Sequence, residues 1–299
     1  MQNKAWENEE FSGFNDLDSF DALDITEEEA ETVNELTPTQ TKEHHANKTQ
    51  TQDANVEQGA NPNKYTHANK HASASQAPED PTLSKDMLGK RVMGYIDNEK
   101  QAEAVLKKLE KYASEQFVPI LRTGTARLLK QIVRKVQPSS ALEIGTAIGY
   151  SGTIILSNSP ACELVTIELD PDAVKKASKA FAKARVDERV TILEEDCMVA
   201  VPELEKAGMS FDFIFLDGPK GQYIRLLPYL VALLNKGGIL FADNVLFRGY
   251  VTGKEPTPKR FKTIVKRMQE FLAQAKQHPQ LINVEIMEME DGVLLANKV

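Results

Sequence analysis

The sequence predicts an α/β fold: a doubly wound, mostly parallel sheet closed by a C-terminal antiparallel hairpin. Three observations predict it. Five short apolar runs, at residues 141–144, 164–167, 190–193, 213–216 and 239–242, alternate with segments of helical period such as 173–184 and 223–234; βα units of this length build a parallel sheet with helices on both faces. The runs are apolar throughout rather than alternating, as strands buried on both sides are, and they end on acidic residues and glycines, where ligands of open α/β sheets bind. Last, the chain closes with two strand-like runs, 281–287 and 293–297, about an Asp291-Gly292 pair suited to a hairpin turn.

The elements follow in order from a strong shift in composition. The net charge of −8 over 299 residues is unevenly spread: residues 1–80 hold 17 acidic and 5 basic side chains, residues 81–299 hold 27 and 31. Residues 37–81 are Thr, Gln, Asn, His, Ala and Lys with almost no large apolar side chain, too little to offset the entropy of ordering them. A disordered acidic and polar tail is therefore expected over 1–82, and one folded domain over 83–299. Within the tail, Trp6, Phe11, Phe14, Leu17, Phe20 and Leu23 are interleaved with acids. That pattern suits either a solvating acidic tail or a short motif that folds on an unidentified partner.

The domain opens with two helices. Val105, Leu106, Leu109 and Tyr112 recur at helical spacing, and Ala126, Leu128, Leu129, Ile132 and Val133 do so again before Pro138. The five βα units come next, then an amphipathic helix with Phe261, Ile264, Val265, Met268, Phe271 and Leu272 on one side. There is no 18-residue apolar span and no basic-then-apolar N-terminus, so a cytoplasmic protein without membrane contact is expected. Cys162 and Cys197 are too few for a disulfide framework and lack zinc-ligand spacing. His44, His45, His67 and His71 lie in the tail, leaving His278 alone in the domain, which disfavours Ser-His or Cys-His catalysis.

The strand ends carry the chemistry. In "LEIGTAIGYSG", residues 142–152, Gly145 and Gly149 let the backbone approach a ligand, and the helix beginning near Tyr150 or Ser151 offers free N–H groups to an anion. The glycines are four apart, unlike the GxGxxG of dinucleotide enzymes. "TIELDPD" places Glu168 about twenty residues beyond that turn, where an acid can accept ribose hydroxyls, while Asp170-Pro171 suits a helix start. "EEDC" brings Asp196 and Cys197 to the third strand end, bordering an adenine ring or, for Asp196, capping a helix. "FDFIFLDGPKGQY", residues 211–223, ends a strand in Asp217 and turns through Gly218-Pro219 to Lys220 and Tyr223. Asp243-Asn244 ends the fifth strand. Two carboxylates and an amide oxygen at adjacent strand ends form a hard-oxygen set suited to magnesium or manganese.

Together, "LEIGTAIGYS", "TIELDPD", "EEDC", "FIFLDGPKGQY" and "GGILFADNVLFRG", in that order, resemble the cation-dependent O-methyltransferases that include the catechol and caffeoyl-CoA enzymes, across about residues 100–299. The resemblance implies a Rossmann-like methyltransferase sheet and S-adenosylmethionine as cofactor. It implies that Glu168 holds the ribose, that Leu121, Gly145, Tyr150 and Ser151 belong to the cofactor pocket with Asp217, and that Asp196 and Cys197 flank the adenine. Asp217, Asp243 and Asn244 match the family's divalent-metal ligands, and Asp217 and Lys220 its catalytic pair, with Lys220 as general base once a nearby cation lowers its pKa. A homodimer is implied as well.

Within that family, "DNVLFRGYV", "PTPKRFKTIVKR" and "MEDGVLLANK" are similar to the bacterial subgroup that methylates 5-hydroxyuridine at the wobble position of transfer RNA. Its substrate presents two vicinal oxygens, as a catechol does. Residues 248–267 hold seven cations against Glu255, and Lys259, Lys262 and Lys266 are expected on one helix face with Arg248 nearby, a stripe that can track phosphates or simply face solvent. Small phenols or catechols are the rival substrates. A noncatalytic RNA-binding scaffold is a third reading, against which the joint presence of Asp217, Lys220, Asp243 and Asn244 argues.

Overall fold

The structure, a computed structural model, describes residues 85–299, with side chains from residue 99. All of these belong to the compact unit Gly59–Val299; the tail expected over 1–82 lies outside the described residues. Two helices, α1 (Lys85–Gln116) and α2 (Thr123–Val136), precede the sheet. Then follow β1 (Ser140–Ile144), α3 (Tyr150–Asn158), β2 (Glu163–Glu168), α4 (Pro171–Lys183), β3 (Val190–Glu194), α5 (Cys197–Lys206), β4 (Phe211–Leu216), α6 (Tyr223–Leu233), β5 (Leu234–Asp243), α7 (Lys262–Gln277), β6 (Leu281–Met287) and β7 (Val293–Lys298). The seven strands lie in the order β3-β2-β1-β4-β5-β7-β6, parallel from β3 to β5 and antiparallel through β7 and β6.

This order sets the site. The chain winds outward from β1 to β3, returns to β4 beside β1, and winds the other way. The strand order reverses between β1 and β4, so their carboxyl ends open a crevice. Successive side chains of each strand point to opposite faces and feed two cores. Leu142, Ile144, Ile214, Leu216, Leu240 and Ala242 pack with α5, α6 and α7. Ala141, Phe213, Phe215 and Phe241 pack with α1 to α4, and Phe241 lies with its ring centroid 6.3 Å from that of Phe213 and 5.3 Å from that of Phe215. Burying each ring contributes roughly 1.5–3 kcal/mol, which stiffens β4 and β5, the two strands that lead into Asp217 and Asp243.

Local sequence explains several boundaries. Asp170 accepts from Asp172 N at 2.9 Å with Pro171 in the first helical turn, so α4 starts where the Asp-Pro pair predicts. β5 begins at Leu234, five residues before the apolar run, with Gly237 at φ +80° where its register against β4 shifts. The hairpin differs from the tight turn expected at Asp291-Gly292: residues 288–292 join β6 to β7, with Glu290 at φ +50° and Gly292 at φ +83°. The longer connection exists because it pairs with the segment after β5, Val245 N donating to Gly292 O and Leu246 N to Asp291 O.

Candidate active site

A cleft of about 510 Å³ opens at the carboxyl ends of β1, β2, β4 and β5, and it collects all the residues expected around a cofactor and a metal: Leu121, Gly145, Tyr150, Ser151, Glu168, Asp196, Cys197, Asp217, Lys220, Asp243 and Asn244. Its floor is the glycine turn after β1. Gly145 sits at φ +100°, and a Cβ there would lie 2.2 Å from the Asp217 carbonyl oxygen. Only glycine permits both that conformation and that approach. Gly149, at φ +84°, precedes α3 with no side-chain cap, so the first N–H groups of α3 stay open toward the cleft.

Glu168 braces this turn. One carboxylate oxygen accepts from Ala147 N at 2.9 Å, and the other from Leu169 N at 2.9 Å and Asp170 N at 3.0 Å. A carboxylate has about four acceptor sites, so capacity remains for a ligand hydroxyl. Asp196 takes the capping role left open for it, accepting from Met198 N at 2.8 Å at the start of α5, while it borders the cleft. Burial pushes the Cys197 thiol up to about 11, which makes it an unreactive wall. The Tyr150 hydroxyl turns away to α1 and donates to Glu110 at 2.6 Å.

Ser151 donates to Glu143, which the sequence reading had not singled out. Glu143 is fully buried, its other oxygen accepting from Thr166 Oγ1 at 2.6 Å. Burial raises its carboxyl to about 7 despite those two hydrogen bonds. A charged residue inside an otherwise apolar strand run was the signal that could have found it. Glu290 was also missed: it accepts from Gly124 N, Thr125 N and Thr125 Oγ1 at 2.9, 3.0 and 2.7 Å, pinning the start of α2 just beyond Leu121.

The other half of the cleft holds the acids. Asp243 is buried at the end of β5, and burial followed by the Asp217 charge raises its carboxyl to about 7. Its oxygens accept from Asn244 N at 2.7 Å and Asn244 Nδ2 at 3.1 Å. Asn244 adopts φ +54°, uncommon outside glycine but best tolerated by Asn. Two neighbouring carboxylates, beside an amide whose nitrogen is already engaged and whose oxygen has no hydrogen-bond partner among the described residues, make a donor set that fits a hard divalent cation. Among the described residues, no cluster of three or more His, Cys, Asp or Glu could hold a metal; this set reaches three through the Asn244 amide.

Lys220, the expected base, lines the cleft beside Asp217. Its Nζ lies 2.7 Å from Asp217 Oδ1 and 2.8 Å from the Tyr223 hydroxyl. Burial alone would lower its pKa, but Tyr223 and Asp217 outweigh it and hold Lys220 above the ordinary lysine value. Held between these two groups, it is an ammonium and a donor. Tyr223 begins α6 and is fully buried behind Lys220, outside the cleft lining, and its hydroxyl lies 3.0 Å from Leu216 O and 3.2 Å from Asp243 O. The basic residues are not in the cleft. Arg248, Lys259, Lys262 and Lys266 are exposed, and Lys259 lies in a 3-10 turn before α7 rather than on the helix face expected for it.

A profile of the O-methyltransferase family matches residues 97–299. The chain belongs to the O-methyltransferase family. Similar curated proteins include the caffeoyl-CoA O-methyltransferase of Stellaria longipes, 25% identical across 65% of this chain and 83% of that one, and the catechol O-methyltransferase of Sus scrofa, 34% identical across 41% of this chain and 69% of that one. A solved Staphylococcus aureus structure provisionally designated a caffeoyl-CoA O-methyltransferase shares 26% identity with a TM-score of 0.61, covering 71% of this chain and all of that one. A Bacillus cereus O-methyltransferase in complex with SAH, 20% identical across 66% of this chain and 91% of that one, shares the fold with a TM-score of 0.58. The O-methyltransferase assignment makes this an S-adenosylmethionine-dependent methyl-transferring enzyme of the caffeoyl-CoA and catechol type. No helix among the described residues is long and apolar enough to cross a membrane.

Proposed function

We propose that this O-methyltransferase moves the methyl group of S-adenosylmethionine to the 5-hydroxyl of wobble 5-hydroxyuridine in transfer RNA, giving 5-methoxyuridine, with magnesium or manganese held by Asp217, Asp243 and Asn244. The observation that carries the chemistry is the meeting, in one cleft, of a hard-oxygen triad with the glycine turn and Glu168. The substrate rests on the similarity of residues 243–251, 256–267 and 289–298 to the transfer RNA subgroup and on the exposed cations beyond the triad. The bound groups supply an electrophilic methyl and Lewis-acid activation of the hydroxyl.

The protein's own part is positioning and proton control. Glu168 and the open start of α3 orient the two ends of the donor, while Leu121 and Tyr150 wall it from water. Bringing donor and hydroxyl together in line supplies much of the acceleration. Asp217 holds the proton on Lys220 Nζ; a cation held by the triad would weaken that hold, so that Nζ would first give its proton to solvent and then, as the neutral amine, take the proton leaving the hydroxyl oxygen as the carbon–sulfur bond breaks and the carbon–oxygen bond forms. The working unit in this proposal is a cytoplasmic homodimer, which sedimentation velocity tests.

A second reading, a small catechol or phenol as acceptor, is favoured by the names of the curated relatives. The purified chain with magnesium and S-adenosylmethionine should methylate transfer RNA carrying 5-hydroxyuridine, and Asp217→Ala should lower the rate by a hundredfold or more. Catechol turnover without activity on that RNA overturns the first reading in favour of the second.

A further inference from the structure

Three aromatic rings stand together immediately beyond the triad. Phe247 follows Asn244 by three residues; its ring centroid lies 5.9 Å from that of Tyr250 and 5.3 Å from that of Phe261, both edge-on, and Tyr250 stacks with Phe261 at 5.9 Å and 26°. All three residues are half-buried and pack against the core beneath them. Arg260 places its guanidinium 4.6 Å from the Phe261 ring centroid. Around the rings, Arg248, Lys259 and Lys262 are exposed with no ion-pair partner among the described residues, whereas Lys254 is paired to Glu288 at 2.6 Å.

The backbone is unusual at the same place. Phe247 and Arg248 adopt φ +42° and +58°. Bulky side chains avoid that region at a cost of order 1–3 kcal/mol, and such strain gathers at binding sites. The surface also abuts the active site from a second side. Arg267 of α7 donates to Gly221 O at 3.3 Å, next to Lys220, and at 1.5 Å per residue Lys262 is only about 8 Å back along the helix.

We infer that Phe247, Tyr250 and Phe261, with Arg248, Lys259, Arg260 and Lys262, form a platform on which unpaired nucleotides flanking the target base stack while the cations track their phosphates. The inference rests on the RNA reading above and deepens it: it specifies single-stranded RNA, because paired bases keep their faces covered. Ring faces take any base, and cations flanking them bind the backbone without reading sequence. Duplex RNA would engage the cations alone. Four phosphate contacts predict a loss of about 50-fold in affinity between 50 and 200 mM salt, from a slope near 0.7 per contact on single strands.

The test is fluorescence anisotropy of the full chain, with S-adenosylhomocysteine present, against an unstructured ten-nucleotide RNA and a duplex of equal length. Phe261→Leu keeps apolar volume and removes the ring face; it should weaken single-strand binding about tenfold and leave duplex binding within twofold. Arg260→Ala, at an exposed position that cannot unfold the domain, should weaken single-strand binding about fivefold and keeps the test decisive if Phe261→Leu melts early. Equal affinity for single strand and duplex, or unchanged single-strand binding by both variants, overturns the platform. If RNA containing 5-hydroxyuridine is methylated while both variants bind normally, the platform fails and the function reading stands. If both variants lose single-strand binding while catechol is the only acceptor, the platform stands and the uridine reading fails.

Discussion

Replacing Gly145 by alanine tests whether the two halves of the cleft are built against each other. The residue sits at φ +100°, and the added methyl would lie 2.2 Å from Asp217 O and 2.9 Å from Asp217 C, both backbone atoms that cannot swing aside. The strained backbone costs roughly 1–3 kcal/mol and the overpacking roughly 1–3 more. For a domain of this size that corresponds to a fall in melting temperature of about 5–20 °C. Relief must come from parting β1 from β4, so Asp217 shifts relative to the glycine turn and affinity for S-adenosylhomocysteine should fall at least tenfold. Gly208 provides the control: it has φ +72°, but a methyl added there would meet nothing within 4 Å. Gly208→Ala should therefore cost about 1–2 kcal/mol, from backbone strain alone, and leave cofactor affinity unchanged. Scanning fluorimetry and titration calorimetry on the two variants read both quantities. Equal losses of stability in both variants, with normal cofactor binding in Gly145→Ala, would refute the close approach of the two strand ends.

Two further outcomes follow from the buried and capping acids. Glu143 has its carboxyl raised to about 7, so the stability it contributes is fully present below its unfolded value near 4.5 and is lost as pH rises through 7. That loss is about 3 kcal/mol; Glu143→Gln should accordingly flatten the fall in melting temperature from pH 5 to pH 8, and an unchanged slope would contradict the burial argument. Glu290→Ala removes three hydrogen bonds to the start of α2 and should cost about 1–2 kcal/mol. Because Leu121 lies just before that start, the same variant should bind S-adenosylhomocysteine several-fold more weakly, measured by calorimetry.

Most of the sheet was legible because its strands are buried on both faces and so read as unbroken apolar runs, while their ends carry residues that no core would keep. Asp217, Asp243 and Asn244 could be found that way, and Asp170-Pro171 announced a helix start that the backbone obeys. Interactions between distant segments could not be read. Glu290 meets Thr125 across 165 positions, and nothing local in "MEDG" distinguishes a helix-capping acid from a turn residue. The early start of β5 was hidden by Lys236-Gly237-Gly238, which reads as a loop, although β4 supplies partners on both sides of the irregularity, Leu234 pairing with Phe211 and Ile239 with Phe213. The role of Lys220 depended on where α6 begins: only a helix starting at Tyr223 folds that hydroxyl back beneath the ammonium.

Asp217 links these observations. Its N–H donates to Ile144 O at 2.9 Å, its carbonyl fills the space a Gly145 side chain would take, and its carboxylate meets Lys220 and raises Asp243. The cofactor turn and the triad are thus separated by neighbouring strands of one sheet, each step about 4.8 Å, and not by loops that drift. In-line transfer tolerates errors of only a fraction of an ångström before rate is lost. A sheet clamped by Phe213, Phe215 and Phe241 on one face and α6 on the other supplies that tolerance. The segment beyond Asn244 can then vary its substrate contacts without disturbing the reacting atoms.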